Sequence, residues 1–222
     1  MRSHPAISLS LLLTLAGCGA VPGSKPADRA AQSTGASPVS VARPEARQCF
    51  AELGQTGSRF APLPDKFYGA GCSTTNSVRL DGVGGDTHQF TVTNLSAVAC
   101  PLANSFAAWA RFGVDRAAQQ ILGSPLARIE TMGSYSCRNV AGTARLSAHS
   151  RAEAVDVAAF VLADGRRISV LNGWNASREE REFLRTIHSS ACKRFGTVLG
   201  PDYNKAHENH FHLEYGSGNY CR

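Results

Sequence analysis

The chain has 222 residues, 43% hydrophobic and 18% charged, with a formal net charge of +6. That length holds one medium domain or two small ones, and beyond the N-terminus no apolar stretch approaches the ~20 residues of a membrane span. Frequent Gly (21) and Pro (10) exclude a coiled coil, and the scattered basic residues do not form the clustered surface that nucleic acid requires.

Met1-Arg2-Ser3-His4 is a short basic start, followed by an apolar run that includes Leu9, Leu11, Leu12, Leu13 and Leu15. This reads as a secretory signal peptide over residues 1–17. Leu15-Ala16-Gly17-Cys18 resembles a bacterial lipobox. The resemblance implies cleavage before Cys18 and lipid on that cysteine; the alternative is a plain signal peptide with an incidental cysteine. Acyl chains would anchor the protein to a membrane surface. Gly19 follows, with no Asp to signal inner-membrane retention, so the expected place is the bacterial cell envelope, on the outer membrane facing the periplasm. Residues 18–47 read as lipidated cysteine plus an Ala/Pro/Ser-rich tether, and residues 48–222 as the folded domain.

Six cysteines remain: Cys49, Cys72, Cys100, Cys137, Cys192 and Cys221. An even number in an exported domain implies three disulfides, and six cysteines allow 15 pairings. The short, glycine-rich interval favours Cys49–Cys72, with Cys137–Cys192 and Cys100–Cys221 completing the set. No Cys-x-x-Cys spacing points to zinc or redox work.

In chain order, residues 49–99 hold short strand-like pieces, and Asp81-Gly82-Val83-Gly84-Gly85-Asp86 reads as a loop. Pro101 to Leu122 reads as one helix with Leu102, Phe106, Trp109, Ala110, Ala117 and Ile121 on its apolar face, ended by Gly123 and Pro125. Residues 127–133 read as a strand, and 154–171 as two strands about the Asp164-Gly165 turn. Ser177 and Glu180 form a capping box opening a helix to about Phe195. His210 to Tyr215 alternates as a strand, with Phe211, Leu213 and Tyr215 toward the core. Without a βαβ rhythm, the fold expected is α+β: a single disulfide-stapled domain with a central antiparallel sheet flanked by helices.

Four of the seven histidines lie in two segments, Ser147-Ala148-His149 with nearby Asp156, and His207-Glu208-Asn209-His210-Phe211-His212. His210 and His212 share one strand face. Asp156 sits among apolar neighbours, where a carboxylate must be paired or coordinated. Two His and one Asp are suitable zinc ligands that leave a fourth position open, and a further His can move protons. His207 has the opposite strand parity and must lie in the preceding loop or point away. His88 reads as a loop residue, His188 as a helix-face residue and Glu153 as a solvated one.

Ser147-x-His149, Ala154-x-Asp156 and His210-x-His212 together resemble the LAS-type zinc metallopeptidases: D-alanyl-D-alanine peptidases, murein endopeptidases and the hedgehog signalling domain. More closely, Gly133-Ser134-Tyr135-Ser136-Cys137-Arg138, the run Cys192 to Asn204 and His210-Phe211-His212 resemble the bacterial extensin-like C-terminal domain family. The resemblance implies His149, Asp156 and His212 as zinc ligands and His210 and His207 as catalytic residues. It implies Arg138 and Ser147 as substrate-binding residues, with a structural salt bridge the alternative for Arg138. The implied activity is zinc-dependent hydrolysis of peptidoglycan stem peptides, as endopeptidase or carboxypeptidase, by a monomer that binds no nucleic acid. Three positions depart from the LAS pattern: Ala152 replaces a frequent Gly, Ala148 a frequent Glu, and Asn209 the carboxylate base found in some of these enzymes. The competing expectations are a zinc-containing module that binds peptidoglycan without cutting it, and a metal-free envelope-stability lipoprotein.

Overall fold

The computed structural model describes residues 43–222. The expected signal peptide, the lipidated Cys18 and most of the expected tether lie outside the described residues. The tether ends earlier than expected, because helix α1 spans Pro44–Gln55 and includes residues 44–47.

After α1 come strands β1 (Arg59–Pro62), β2 (Lys66–Gly69), β3 (Cys72–Thr74), β4 (Ser77–Gly84), β5 (Gln89–Thr93) and β6 (Val98–Ala99). Helix α2 (Cys100–Trp109), a wide π turn (Ala110–Asp115) and helix α3 (Arg116–Leu122) lead to β7 (Leu126–Gly133). Then follow β8 (Ala154–Leu162), β9 (Arg167–Ser169), α4 (Val170–Gly173), α5 (Arg178–Ala191), β10 (Thr197–Leu199), β11 (Phe211–Glu214) and β12 (Tyr220–Cys221). Ten strands form one sheet in the order β1-β4-β5-β7-β8-β11-β10-β12, with β6 on β4 and β9 on β8; β2 and β3 pair separately. The α+β class with helices flanking a large sheet is as expected.

The sheet is not purely antiparallel, because β5 pairs parallel with β7 and β10 parallel with β12. The first of these follows from connectivity, since α2 and α3 supply the crossover that a parallel pair needs. Nor is Asp81–Asp86 a loop throughout. Residues 81–84 belong to β4, and the turn is confined to the segment where the Gly85 N–H donates to the His88 carbonyl. Gly84 is there for close packing: a Cβ would lie 2.6 Å from the Thr56 carbonyl oxygen.

The expected helix over 101–122 forms, but widens at Ala110–Asp115. There Gly113 admits α5, whose Ser190 Oγ would lie 2.5 Å from an added Cβ. Trp109, fully buried, donates its indole N–H to the Ile187 carbonyl at 2.9 Å and meets Phe160 of β8 edge-on. Phe183 of α5 packs edge-on against the same Phe160. Burying side chains of this size contributes about 2–3 kcal/mol each, so these contacts clamp α2 and α5 onto β8. Ser177 caps α5 as expected, accepting from the Glu180 N–H, but the helix ends at Ala191 rather than near Phe195. Cys192 begins the turns that follow, and Phe195 folds back into the core.

None of the expected disulfide pairings occurs. Cys49 bonds Cys100, Cys72 bonds Cys137 and Cys192 bonds Cys221, with Cα separations of 6.1, 5.6 and 5.6 Å. Spatial neighbours decide the pairing. The helix carrying Cys49 packs on α2, whereas the β2–β3 hairpin carrying Cys72 packs on the 148–151 turn.

Candidate metal centre

Strands β8 and β11 pair antiparallel, with His212 directly opposite Asp156. Residues opposite one another on a sheet face lie ~5 Å apart at Cβ, so the register alone brings this pair together. Phe211 and Leu213, of opposite parity, are fully buried beneath them. Tyr215, expected inward, lies past the end of the strand and is 47% exposed.

His149 comes from the 3-10 turn Ala148–Arg151. Ser147 caps this turn, its hydroxyl accepting from the His149 N–H, and is itself buried. Its visible task is thus to shape the turn that carries His149. Ala152 ends the turn in the left-handed region at φ 57°. That conformation is natural for Gly and strained for Ala. On either side of Tyr135 the chain is fastened to His149: Ser134 O accepts from His149 Nδ1 at 2.5 Å, and the Ser136 N–H donates to the His149 carbonyl.

With Nδ1 engaged, His149 turns Nε2 inward, 3.2 Å from Asp156 Oδ2 and 3.2 Å from His212 Nδ1. His212 Nδ1 lies 2.9 Å from Asp156 Oδ1, and its outer Nε2 lies 3.8 Å from Glu214 Oε2. The donor atoms of His149, Asp156 and His212 all fall within 4.8 Å of one another. This donor set fits a divalent metal: two imidazoles and a carboxylate converge, and the outer nitrogens of both imidazoles face fixed oxygen atoms, as ligand histidines usually require. Burial alone would raise the Asp156 pKa, but hydrogen bonds from His149 and His212 outweigh it and hold the carboxyl far below its usual range. Burial alone would lower His212, yet its contacts with Asp156 and Glu214 push it up to about 9.

Two further histidines face this cluster. His210 Nδ1–H donates to Asn209 Oδ1 at 2.8 Å, and its Nε2 lies 3.5 Å from Asp156 Oδ1. His207 reaches the site from the short turn Lys205–His207, with its ring 5.2 Å from His210 and 6.0 Å from His212. Its Nδ1–H donates to Asn204 Oδ1 at 2.7 Å. Each Asn oxygen selects the tautomer with Nδ1 protonated, leaving Nε2 as the free basic atom. Burial, followed by the nearby His210 and His212, lowers His207 to about 4, and burial chiefly lowers His210.

Arg138 is exposed, and its charge acts on both His207 and His210. Among the described residues it makes no ion pair, so the structural salt bridge is not what it forms. Glu153 pairs with Arg151 at 2.7 Å, away from the cluster. His88 hydrogen-bonds the Leu126 carbonyl and lies 3.4 Å from the buried Asp115. His188 packs against Trp174 and Phe211. It lies near Cys192 and Cys221, but their sulfurs are bonded to each other and offer no thiolate.

The motifs did not single out Ser134, Glu214, Asn204 and Tyr203 as parts of this site. Glu214 was within reach of the strand period, since it shares the face of His210 and His212. Ser134 acts through its backbone carbonyl, which no side-chain pattern reveals.

An α+β domain in which a carboxylate and an imidazole on two paired central strands meet a second imidazole from an adjoining turn is, by its donor atoms, a candidate metalloprotein. The chain belongs to the family described as extensin-like protein C-terminus, which matches residues 47–222. No curated protein and no solved structure matches it.

Proposed function

We propose that this protein is a zinc-dependent hydrolase of peptidoglycan peptide bonds, held in the bacterial cell envelope by lipid on Cys18. The observation that carries the reading is the convergence of His149 Nε2, Asp156 and His212 Nδ1, with two non-ligand histidines beside them. Zinc held by His149, Asp156 and His212 would supply a Lewis acid for a carbonyl and would lower the pKa of water. His210, neutral because burial lowers it and fixed by Asn209, presents Nε2 to take a proton from the attacking water and return it to the leaving amine. His207, held by Asn204, stands behind as a second proton carrier. Arg138, with no acidic partner, is placed to bind a substrate carboxylate through its planar fork. The distant likeness to LAS-type metallopeptidases supports the same assignment.

The test combines metal analysis with a muropeptide digest. Purified protein should hold about one zinc, and intact sacculi incubated with it should yield new peptide masses that a His212→Ala control does not. A second reading, a zinc site kept for binding without cleavage, is favoured by Asn209, whose amide cannot act as a base and whose oxygen is occupied by His210. Stoichiometric zinc and retained sacculi with no new masses would select it.

A further inference from the structure

Near the metal cluster lie four tyrosines that the metal chemistry does not use, three of them exposed and Tyr135 half-buried. On the His149 side, Tyr68 of β2 stacks on Tyr135 with centroids 4.8 Å apart and planes 29° apart. Tyr135 lies between Ser134 and Ser136, the two residues hydrogen-bonded to His149, and the Cys72–Cys137 bond ties the hairpin to the same loop. One face of Tyr68 is covered by Tyr135, yet the residue remains 51% exposed. Beside His207, Tyr203 meets that ring edge-on at 5.4 Å and Tyr220 edge-on at 6.0 Å. These two are 40% and 46% exposed.

Large aromatic rings left in water beside a polar cluster mark a recognition surface more often than a stability device. Tyr220 stands perpendicular to Tyr203 with Arg222 over its ring, whereas Tyr68 and Tyr203 each present a partly open apolar ring with a hydroxyl at its rim. Such a surface complements the axial C–H face of a pyranose while leaving the sugar's hydroxyls in water. Two tyrosine pairs, one by the His149 loop and one by His207, fit a ligand longer than one unit, and the exposed Arg138, which makes no ion pair among the described residues, favours one carrying acidic groups.

We propose that Tyr68–Tyr135 and Tyr203–Tyr220 are saccharide subsites, so that the substrate is engaged as an acidic glycan bearing its peptides rather than as a free peptide. This deepens the hydrolase reading and rests on it only for what happens at the metal.

The test is calorimetric titration of the full chain, zinc-loaded and metal-stripped, with a β-1,4-linked N-acetylglucosamine hexamer and, separately, with a free stem tetrapeptide. The hexamer should bind with or without metal. Tyr68→Ala and Tyr203→Ala should each weaken it roughly tenfold. Tyr68→Phe, which keeps the ring, should stay within about twofold, and Phe67→Ala, an exposed neighbour on β2, should change nothing. Absence of hexamer binding, equal affinity in all variants, loss matched by Phe67→Ala, or binding of the tetrapeptide alone would each overturn the proposal. Hexamer binding that responds to the tyrosines in a protein that cuts no sacculi would refute only the hydrolysis.

Discussion

Replacing Asp156 with Asn isolates the electrostatics of the site from its chemistry. In the metal-free protein Asp156 Oδ1 accepts from His212 Nδ1–H at 2.9 Å, Oδ2 lies 3.2 Å from His149 Nε2, and the side chain is 15% exposed. The His212 pKa rises from 6.5 to about 9, which at ~1.4 kcal/mol per unit is about 3 kcal/mol. Glu214 supplies part of that rise, leaving about 2–3 kcal/mol to Asp156. The depressed Asp156 pKa expresses the same contact from its other partner and is not added. Because the folded value is the raised one, the stabilisation is complete below about 6.5 and is lost as pH climbs through about 9. Asp156→Asn should therefore destabilise the metal-stripped protein by about 2–3 kcal/mol at pH ~6 and by less than about 1 at pH ~9.5. Urea unfolding followed by the fluorescence of Trp109 and Trp174 reads the difference directly. A gap that stays constant between these pH values, or is absent at the lower one, would refute the ion-pair account.

On the proposed reading, zinc would have to displace the proton that His212, raised to about 9, holds in the metal-free protein. Loading at pH ~7.5 should release about one proton, seen as a binding enthalpy that varies with the ionisation heat of the buffer; an invariant enthalpy would contradict this. Ala152→Gly relieves a left-handed Ala at φ 57° and should stabilise the fold by up to about 1 kcal/mol in the same urea titration. Gly113→Ala places a Cβ 2.5 Å from Ser190 Oγ and 3.0 Å from the Trp109 ring, and should cost about 1–3 kcal/mol.

The elements with a strong local signal were legible from sequence. Ser177 and Glu180 announce the start of α5, and the Asp164-Gly165 turn separates β8 from β9. Asp81–Asp86 misled because Gly and Asp density was read as a turn, whereas Gly84 is needed where β4 meets the Thr56 carbonyl. The parallel β5–β7 pair was hidden because β6 and the helices intervene. At the site, strand parity placed His210 and His212 on one face, but parity could not place His207. That residue arrives on a separate turn, fixed by Asn204.

The disulfides show where local reasoning stops. Proximity in sequence favoured Cys49–Cys72, yet all three bonds join segments at least 29 residues apart. Each lies where tertiary packing has already brought two segments together: α1 to α2, the hairpin to the loop after β7, and the end of α5 to β12. The middle bond carries the most weight for the site. The loop between Cys137 and His149 is exposed at residues 141–145. What holds it is the Cys72–Cys137 bond at one end and the Ser147 N–H donating to the Arg138 carbonyl at the other. A crosslink closing the 65-residue interval between Cys72 and Cys137 restricts the unfolded chain by about 4 kcal/mol in the chain-entropy account. In the folded chain it fixes Tyr135 and Arg138 beside His149. The bond thus couples Tyr135 and Arg138 to the turn that carries His149, which neither spacing nor composition could reveal.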